Sequence, residues 1–183
     1  MPVWLQAGLW GGFAGGALVL GALIAWFATV PQRVVASVMA FGAGVLVSGA
    51  LLDGIPESVV LGLSLLSGKG VGVPVLAAIL ISNLPEGLSS AAGMKRNGRS
   101  ARYVFGVWTA IATASGAAGL LGCLLLQGAS DQLIAAITAL AAGAILTMVS
   151  DTMIPEAFED THLYAGLITT LGFLTAFVIT RAG

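Results

Sequence analysis

The chain has 183 residues, of which 58% are hydrophobic and only 8% are charged, and its formal net charge is −1. A soluble domain of this size would need a more polar surface, and a nucleic-acid-binding protein would carry a basic excess, so the composition argues against both classes. It predicts an all-α protein, a polytopic transmembrane helical bundle that forms one domain over residues 1–183.

Six apolar stretches follow one another, and each predicts a membrane-spanning helix. They cover residues 4–28, 34–66, 71–94, 103–126, 132–155 and 163–180. The first stretch carries Gly8, Gly12 and Gly16 at every fourth position, a spacing that lets a neighbouring helix approach closely. The second stretch is overlong, because it would form a helix of roughly 50 Å where the hydrocarbon core needs about 30 Å.

The basic residues set the expected orientation in the membrane. The loop between the third and fourth stretches holds Lys95, Arg96, Arg99 and Arg102. Because positive charge marks the cytoplasmic side, we expect this loop inside and both termini outside, in an integral protein of the cell (inner) membrane.

A short polar cassette recurs along the chain, with a polar side chain four residues before a glutamate and a proline directly ahead of that glutamate. The copies are DGIPE at 53–57, SNLPE at 82–86 and a looser DTMIPE at 151–156. A spacing of four places the two polar groups on one helix face, and the proline frees a backbone carbonyl about one turn earlier. Each cassette can therefore present several oxygen atoms to a cation.

The first two cassettes supply the predicted metal site. Asp53, Glu57 and Glu86 would provide charge, and Ser82 and Asn83 would add neutral oxygens. Carboxylates in an apolar interior require a proton or a bound cation for stability. The alternative is that the Pro-Glu pairs break helices near span ends, with the glutamates in headgroup water.

Other chemically interesting residues have simpler explanations. A solvated helix end explains Asp151 and Glu156 about as well as a site does, and His162 in the following acidic connection is more typical of a surface residue than of a ligand. Cys123 is expected in the core, and Ser115 beside Gly116 in a packing contact.

The paired cassettes resemble the His-Asn-x-Pro-Glu-Gly pattern on the fourth and fifth helices of the ZIP family of divalent-metal transporters. Residues 142–172 are similar to the last two helices of that family. The resemblance implies an eight-helix fold with both termini outside and a transported Zn²⁺, Fe²⁺ or Mn²⁺ ion without a prosthetic group. It assigns the motif glutamates to Glu57 and Glu86 and the motif asparagine to Asn83.

Several positions depart from the family pattern. Asp53 and Ser82 replace the motif histidines, Gly54 replaces an asparagine, and Ser115 stands nearest to the place of a further acidic ligand. Oxygen in place of nitrogen shifts the preference toward harder ions. We interpret residues 34–66 as a fusion of two family helices, which would account for six spans instead of eight.

The predicted function is membrane transport of divalent metal cations. The alternative is a non-transporting or degenerate membrane subunit that packs or oligomerises, which the short chain and the lost histidines favour. We expect no enzymatic activity. An intramembrane serine protease would need a histidine facing its serine, and His162 lies in a connection. An aspartyl protease would need two facing aspartates, and no accompanying motif supports Asp53 and Asp151 in that role. The expected partners are a divalent metal ion and the lipid bilayer, with no nucleic acid, and a homodimer is left open.

Overall fold

The computed structural model describes residues 1–52 and 73–182, and every regular element in these two ranges is helical, which confirms the all-α prediction for this part of the chain. Six helices are present there: α1 (Val3–Phe27), α2 (Gln32–Leu52), α3 (Val73–Arg96), α4 (Ala101–Leu125), α5 (Asp131–Thr161) and α6 (Tyr164–Ala182). The predicted spans 4–28, 71–94, 103–126 and 163–180 each coincide with one helix to within two residues at either end. The second half of the stretch 34–66 lies outside the described residues, so its interpretation as a fusion stays a prediction.

Three of the described helices are long and apolar enough to cross a membrane: α1, α4 and α5. The apolar parts of α2 and α6, Gln32–Val47 and Tyr164–Ile179, are shorter. The third predicted span, α3, is less apolar because its middle carries several hydroxyl, amide and carboxyl side chains.

The helices form two groups that meet along α2 and α3. In the first group, α1 packs along both α3 and α4; in the second, α2 packs along α6 and the C-terminal part of α5. Two apolar clusters form the core. The first joins α1, α3 and α4 to the start of α2 and contains Leu18, Ala22, Val35, Leu88, Val104 and Trp108. The second lies within the other group and contains Met39, Ala43, Leu46, Val149 and Met153.

The contact between α1 and α3 brings two backbones together at glycines. A Cβ atom on Gly21 would lie 2.6 Å from the backbone nitrogen of Leu88, and one on Gly87 would lie 2.8 Å from the Cα of Leu18. Any larger side chain would have to push the helices apart. Because Gly87 directly follows the second cassette, this contact also fixes the rotation of α3 at the predicted site.

Side chains near several helix ends satisfy backbone groups that the helices leave unpaired. Lys95 at the end of α3 donates a hydrogen bond to the carbonyl oxygen of Trp26 at 2.5 Å, and its ammonium lies 5.6 Å from the centre of the Trp26 ring. A carbonyl at the C-terminus of α1 is thereby satisfied by a cation, which the helix dipole favours. Ser100 and Ser130 cap the first turns of α4 and α5, each accepting a backbone N–H at 3.3 Å.

The helix α5 contains a π-helical segment, Val149–Met153, which ends two residues before Pro155. A proline at this position cannot donate to the carbonyl of Asp151 and its ring crowds that carbonyl, so the wider turn relieves the conflict. The helix then continues to Thr161. The prediction that this span ends near residue 155 is therefore wrong, and Glu156, Glu159 and Asp160 lie on the last helical turns instead of in a connection.

The α1–α3 contact can be tested with a glycine substitution. Gly21→Ala is expected to lower the free energy of unfolding by about 1–3 kcal/mol, because the added methyl group overlaps the backbone of α3. Thermal unfolding of the purified protein in detergent, followed by circular dichroism, measures the change.

The matched control is Gly16→Ala on the same helix, where an added Cβ meets no atom within 4 Å. This variant should be neutral or more stable by up to about 1 kcal/mol, since alanine is the better helix former. Equal effects of the two substitutions would contradict the described packing.

Candidate functional site

A cavity of about 470 Å³ lies between the two helix groups. Its walls come from α2 and α5 on one side and from α3 and α4 on the other. The polar residues that line it are Gln32, Glu86, Ser89, Ser90, Arg96, Thr152, Glu156 and Glu159. Since Gln32 begins α2 and Arg96 ends α3, the cavity reaches the end of the bundle that carries the basic loop.

Glu86 is a carboxylate in the middle part of the otherwise largely apolar helix α3. It is half-buried, lies ten residues before the end of the helix at Arg96, and lines the cavity. Its neighbour Pro85 has no N–H, so the carbonyl of Ile81 lacks its usual helical donor. The helix therefore offers an unshared carbonyl oxygen about one turn away from a carboxylate.

The two polar residues at the start of this cassette lie on different faces of α3. Ser82 shares the face of Glu86, is buried, and donates a hydrogen bond to the carbonyl of Ile79 at 2.9 Å. Asn83 faces α1 instead, where its side-chain amide donates to the carbonyl of Ala14 at 3.1 Å. The amide nitrogen of Asn83 thus joins two helices inside the first group.

Two polar contacts connect α3 to the second helix group across the cavity. The Ser89 hydroxyl donates to Oε2 of Glu156 at 3.2 Å. The Arg96 guanidinium donates to the side-chain oxygen of Gln32. Both contacts span helices whose relative position sets the width of the cavity.

Trp108 of α4 also lines the cavity. The residue is only 5% exposed, and its indole N–H has no hydrogen-bond acceptor among the described residues. A buried donor of this kind is costly unless water or a ligand accepts from it.

Of the remaining predicted residues, those that the structure describes do not line this cavity. Asp53 and Glu57 lie outside the described residues, so their place in a site stays a prediction. Asp151 is exposed on the π-helical segment. His162 follows α5 with a positive φ of 47° and contacts the edge of the Phe158 ring.

The other two residues are in packing environments. Cys123 is fully buried, and Ser115 has its carbonyl oxygen against Gly11 of α1. In the ranges 1–52 and 73–182, no three His, Cys, Asp or Glu side chains lie close enough together to hold a metal ion.

Sequence reasoning missed Ser89, Ser90 and Arg96 as cavity residues. A signal for the two serines was present, because positions three and four after Glu86 share its helix face. No comparable signal marks Gln32 or Trp108, since each reaches the cavity from a different helix.

Comparison with known proteins adds no relative. No protein-family model matches the chain, and no curated protein matches it. In residues 1–52 and 73–182, the structure defines a helical bundle with three helices long and apolar enough to span a membrane and a polar cavity between two helix groups.

The role of Asn83 can be tested by Asn83→Ala. Loss of the bond to Ala14 is expected to lower the free energy of unfolding by about 1 kcal/mol, measured by denaturation in detergent. Asn97→Ala is the control, because this exposed asparagine makes no side-chain hydrogen bond among the described residues. Unchanged stability of Asn83→Ala, with weakened cation binding, would instead favour a ligand role.

Proposed function

We propose that this protein transports divalent metal cations of the Zn²⁺, Fe²⁺ or Mn²⁺ class across a membrane. The observation that carries the proposal is the position of Glu86, a helix-interior carboxylate beside a proline that lines a cavity shared by two helix groups. Glu156 and Glu159 line the same cavity from the facing group.

The charge of the cavity suits a cation. Three carboxylates and one guanidinium line it, which gives a formal charge of −2 when all are ionised. Such a concave negative surface raises the local concentration of cations. Carboxylate and hydroxyl oxygens bind hard and borderline divalent ions in preference to soft ones.

The division of the bundle supports alternating access. Movement of the α1–α3–α4 group against the α2–α5–α6 group would widen or narrow the cavity, as rocking of two bundles does in other carriers. The contacts of Ser89 with Glu156 and of Arg96 with Gln32 join these groups. Opening of the basic end would break both contacts, and closing would restore them.

The resemblance of the cassettes to the ZIP pattern supports the same proposal. Glu57 would join Glu86 as the second motif glutamate, and Asp53 would stand in place of a motif histidine. With oxygen donors in place of imidazoles, we expect manganese or iron to compete better against zinc than it would at a histidine site.

The second candidate is a membrane subunit that packs and does not transport. Asn83, a motif residue in the resemblance, makes a helix–helix contact through its amide nitrogen, and the described residues contain no group of three close metal-binding side chains. Both observations favour this alternative. It predicts no metal flux at all.

Metal uptake into proteoliposomes tests the proposal. The wild-type protein should accumulate Zn²⁺ or Mn²⁺ above empty vesicles, and Glu86→Gln should lower the initial rate by at least about tenfold. We expect a decrease of this size because, in metal sites generally, removal of a residue that only hydrogen-bonds to a metal ligand already lowers metal affinity or activity by about 10–100-fold. Glu57→Gln should have a comparable effect if both cassettes act on one ion.

The control variant is Asp160→Asn, which removes a carboxylate at the same end of the bundle but outside the lining of this cavity. Its uptake should equal that of the wild type. Equal uptake by Glu86→Gln and the wild type would remove the assigned role of the glutamate, and absence of uptake by the wild type would favour the packing subunit.

A further inference from the structure

We propose that the junction of α3 and α4 binds the headgroup of an anionic phospholipid. The site is a crevice of about 580 Å³ at the basic end of the bundle, formed where α3 ends and α4 begins. The inference rests on the membrane location proposed above but not on metal transport, and its test measures lipid binding alone.

The first argument is unbalanced charge. Four basic residues fall within positions 95–102, and no carboxylate lies among them. Two of these cations have protein partners, since Lys95 binds the carbonyl of Trp26 and Arg96 binds Gln32. Arg99 and Arg102 make no hydrogen bond or ion pair with any described side chain.

The second argument is the shape of the junction. The turn after α3 closes with a hydrogen bond from the Arg99 N–H to the carbonyl of Met94 at 3.0 Å, and Gly98 adopts a positive φ of 73°. The turn places Arg99 on the crevice wall. There its guanidinium carbon lies 5.1 Å from the centre of the Tyr103 ring, which restrains the cation at one position.

The third argument is the match to an amphipathic ligand. The crevice is lined both by the polar side chains of Ser90, Asn97 and Arg99 and by the apolar side chain of Met94 and the ring of Tyr103. Tyr103 is 48% exposed, as is typical of an aromatic residue at a membrane interface. A phosphodiester fits the guanidinium, and the adjoining acyl chains fit Met94 and the Tyr103 ring.

Free phosphate shares the charge chemistry of the headgroup but has nothing to place against Met94 and Tyr103. A diffuse attraction of the basic loop to any negative membrane would use charge alone. The two alternatives therefore differ from the proposed site in measurable ways.

The experiment is native mass spectrometry of the delipidated protein in detergent, titrated with phosphatidylglycerol, phosphatidylcholine or inorganic phosphate. One phosphatidylglycerol should be retained preferentially over phosphatidylcholine, and millimolar phosphate should not displace it. Arg99→Gln should weaken the retained binding by about fivefold. Arg102→Gln, which changes an exposed cation beside the crevice and not in its lining, should weaken the binding less, and the double variant should weaken it at least as much as Arg99→Gln does.

Two further variants distinguish specific binding in the crevice from a diffuse electrostatic attraction to the basic loop. Arg99→Lys keeps the charge but loses the planar guanidinium, which can donate two parallel hydrogen bonds to a phosphate. This variant should therefore still weaken binding of phosphatidylglycerol. Arg181→Gln is the matched control, because Arg181 also lies over an aromatic ring, that of Phe177 at 5.3 Å, but ends α6 at the opposite side of the bundle. It should bind like the wild type.

Several results would overturn the proposal. Equal retention of the two phospholipids, displacement by inorganic phosphate, or wild-type binding by the double variant would each do so. Wild-type binding by Arg99→Lys would replace the crevice by a diffuse electrostatic attraction. All the substituted side chains are exposed, and gel filtration with circular dichroism verifies that each variant is folded.

Discussion

The backbone contact between α1 and α3 at Gly21 and Gly87 is the constraint on which the arrangement of polar residues depends. At this contact only hydrogen atoms separate the two helices, so α3 cannot rotate without a clash. Its fixed rotation turns Asn83 toward α1 and Glu86 toward the cavity. A packing requirement in the first helix group thus decides which side chain of the cassette meets solvent or ligand.

The cavity lies between two helix groups that pack more extensively within themselves than against each other. One apolar cluster includes Val35 of α2 and joins the groups, the other lies within the α2–α5–α6 group, and the polar residues of α3 and α5 line the cavity that both clusters border. Burial of these polar groups inside either cluster would carry a desolvation cost. At the cavity the polar side chains of the two groups can contact one another instead, as the hydroxyl of Ser89 contacts the carboxylate of Glu156.

Negative and positive side chains are concentrated near the same end of the bundle, the negative ones around the interior cavity and the positive ones nearer the outer surface. The carboxylates of Glu86, Glu156 and Glu159 line the interior cavity. Arg99 lines the crevice at the α3–α4 junction, and Arg102 is exposed on the first turn of α4. An anionic headgroup bound at the junction would neutralise the outer cations and leave the negative cavity able to attract metal ions. The two proposals therefore describe compatible features of one surface.

Composition and hydrophobic patterning by themselves predicted that the described part of the chain is helical and, to within two residues, where four of its helices begin and end. They also marked Glu86 as a carboxylate inside an apolar helix, because these properties depend on local residue types. Patterning misjudged the end of α5, since a proline can be accommodated by a π-helical turn and does not have to end a helix. Only the tertiary structure decided which neighbours each polar side chain meets. Asn83 and Glu86 are three residues apart and share one motif, yet the position of α1 gives the first a carbonyl partner and leaves the second in a cavity.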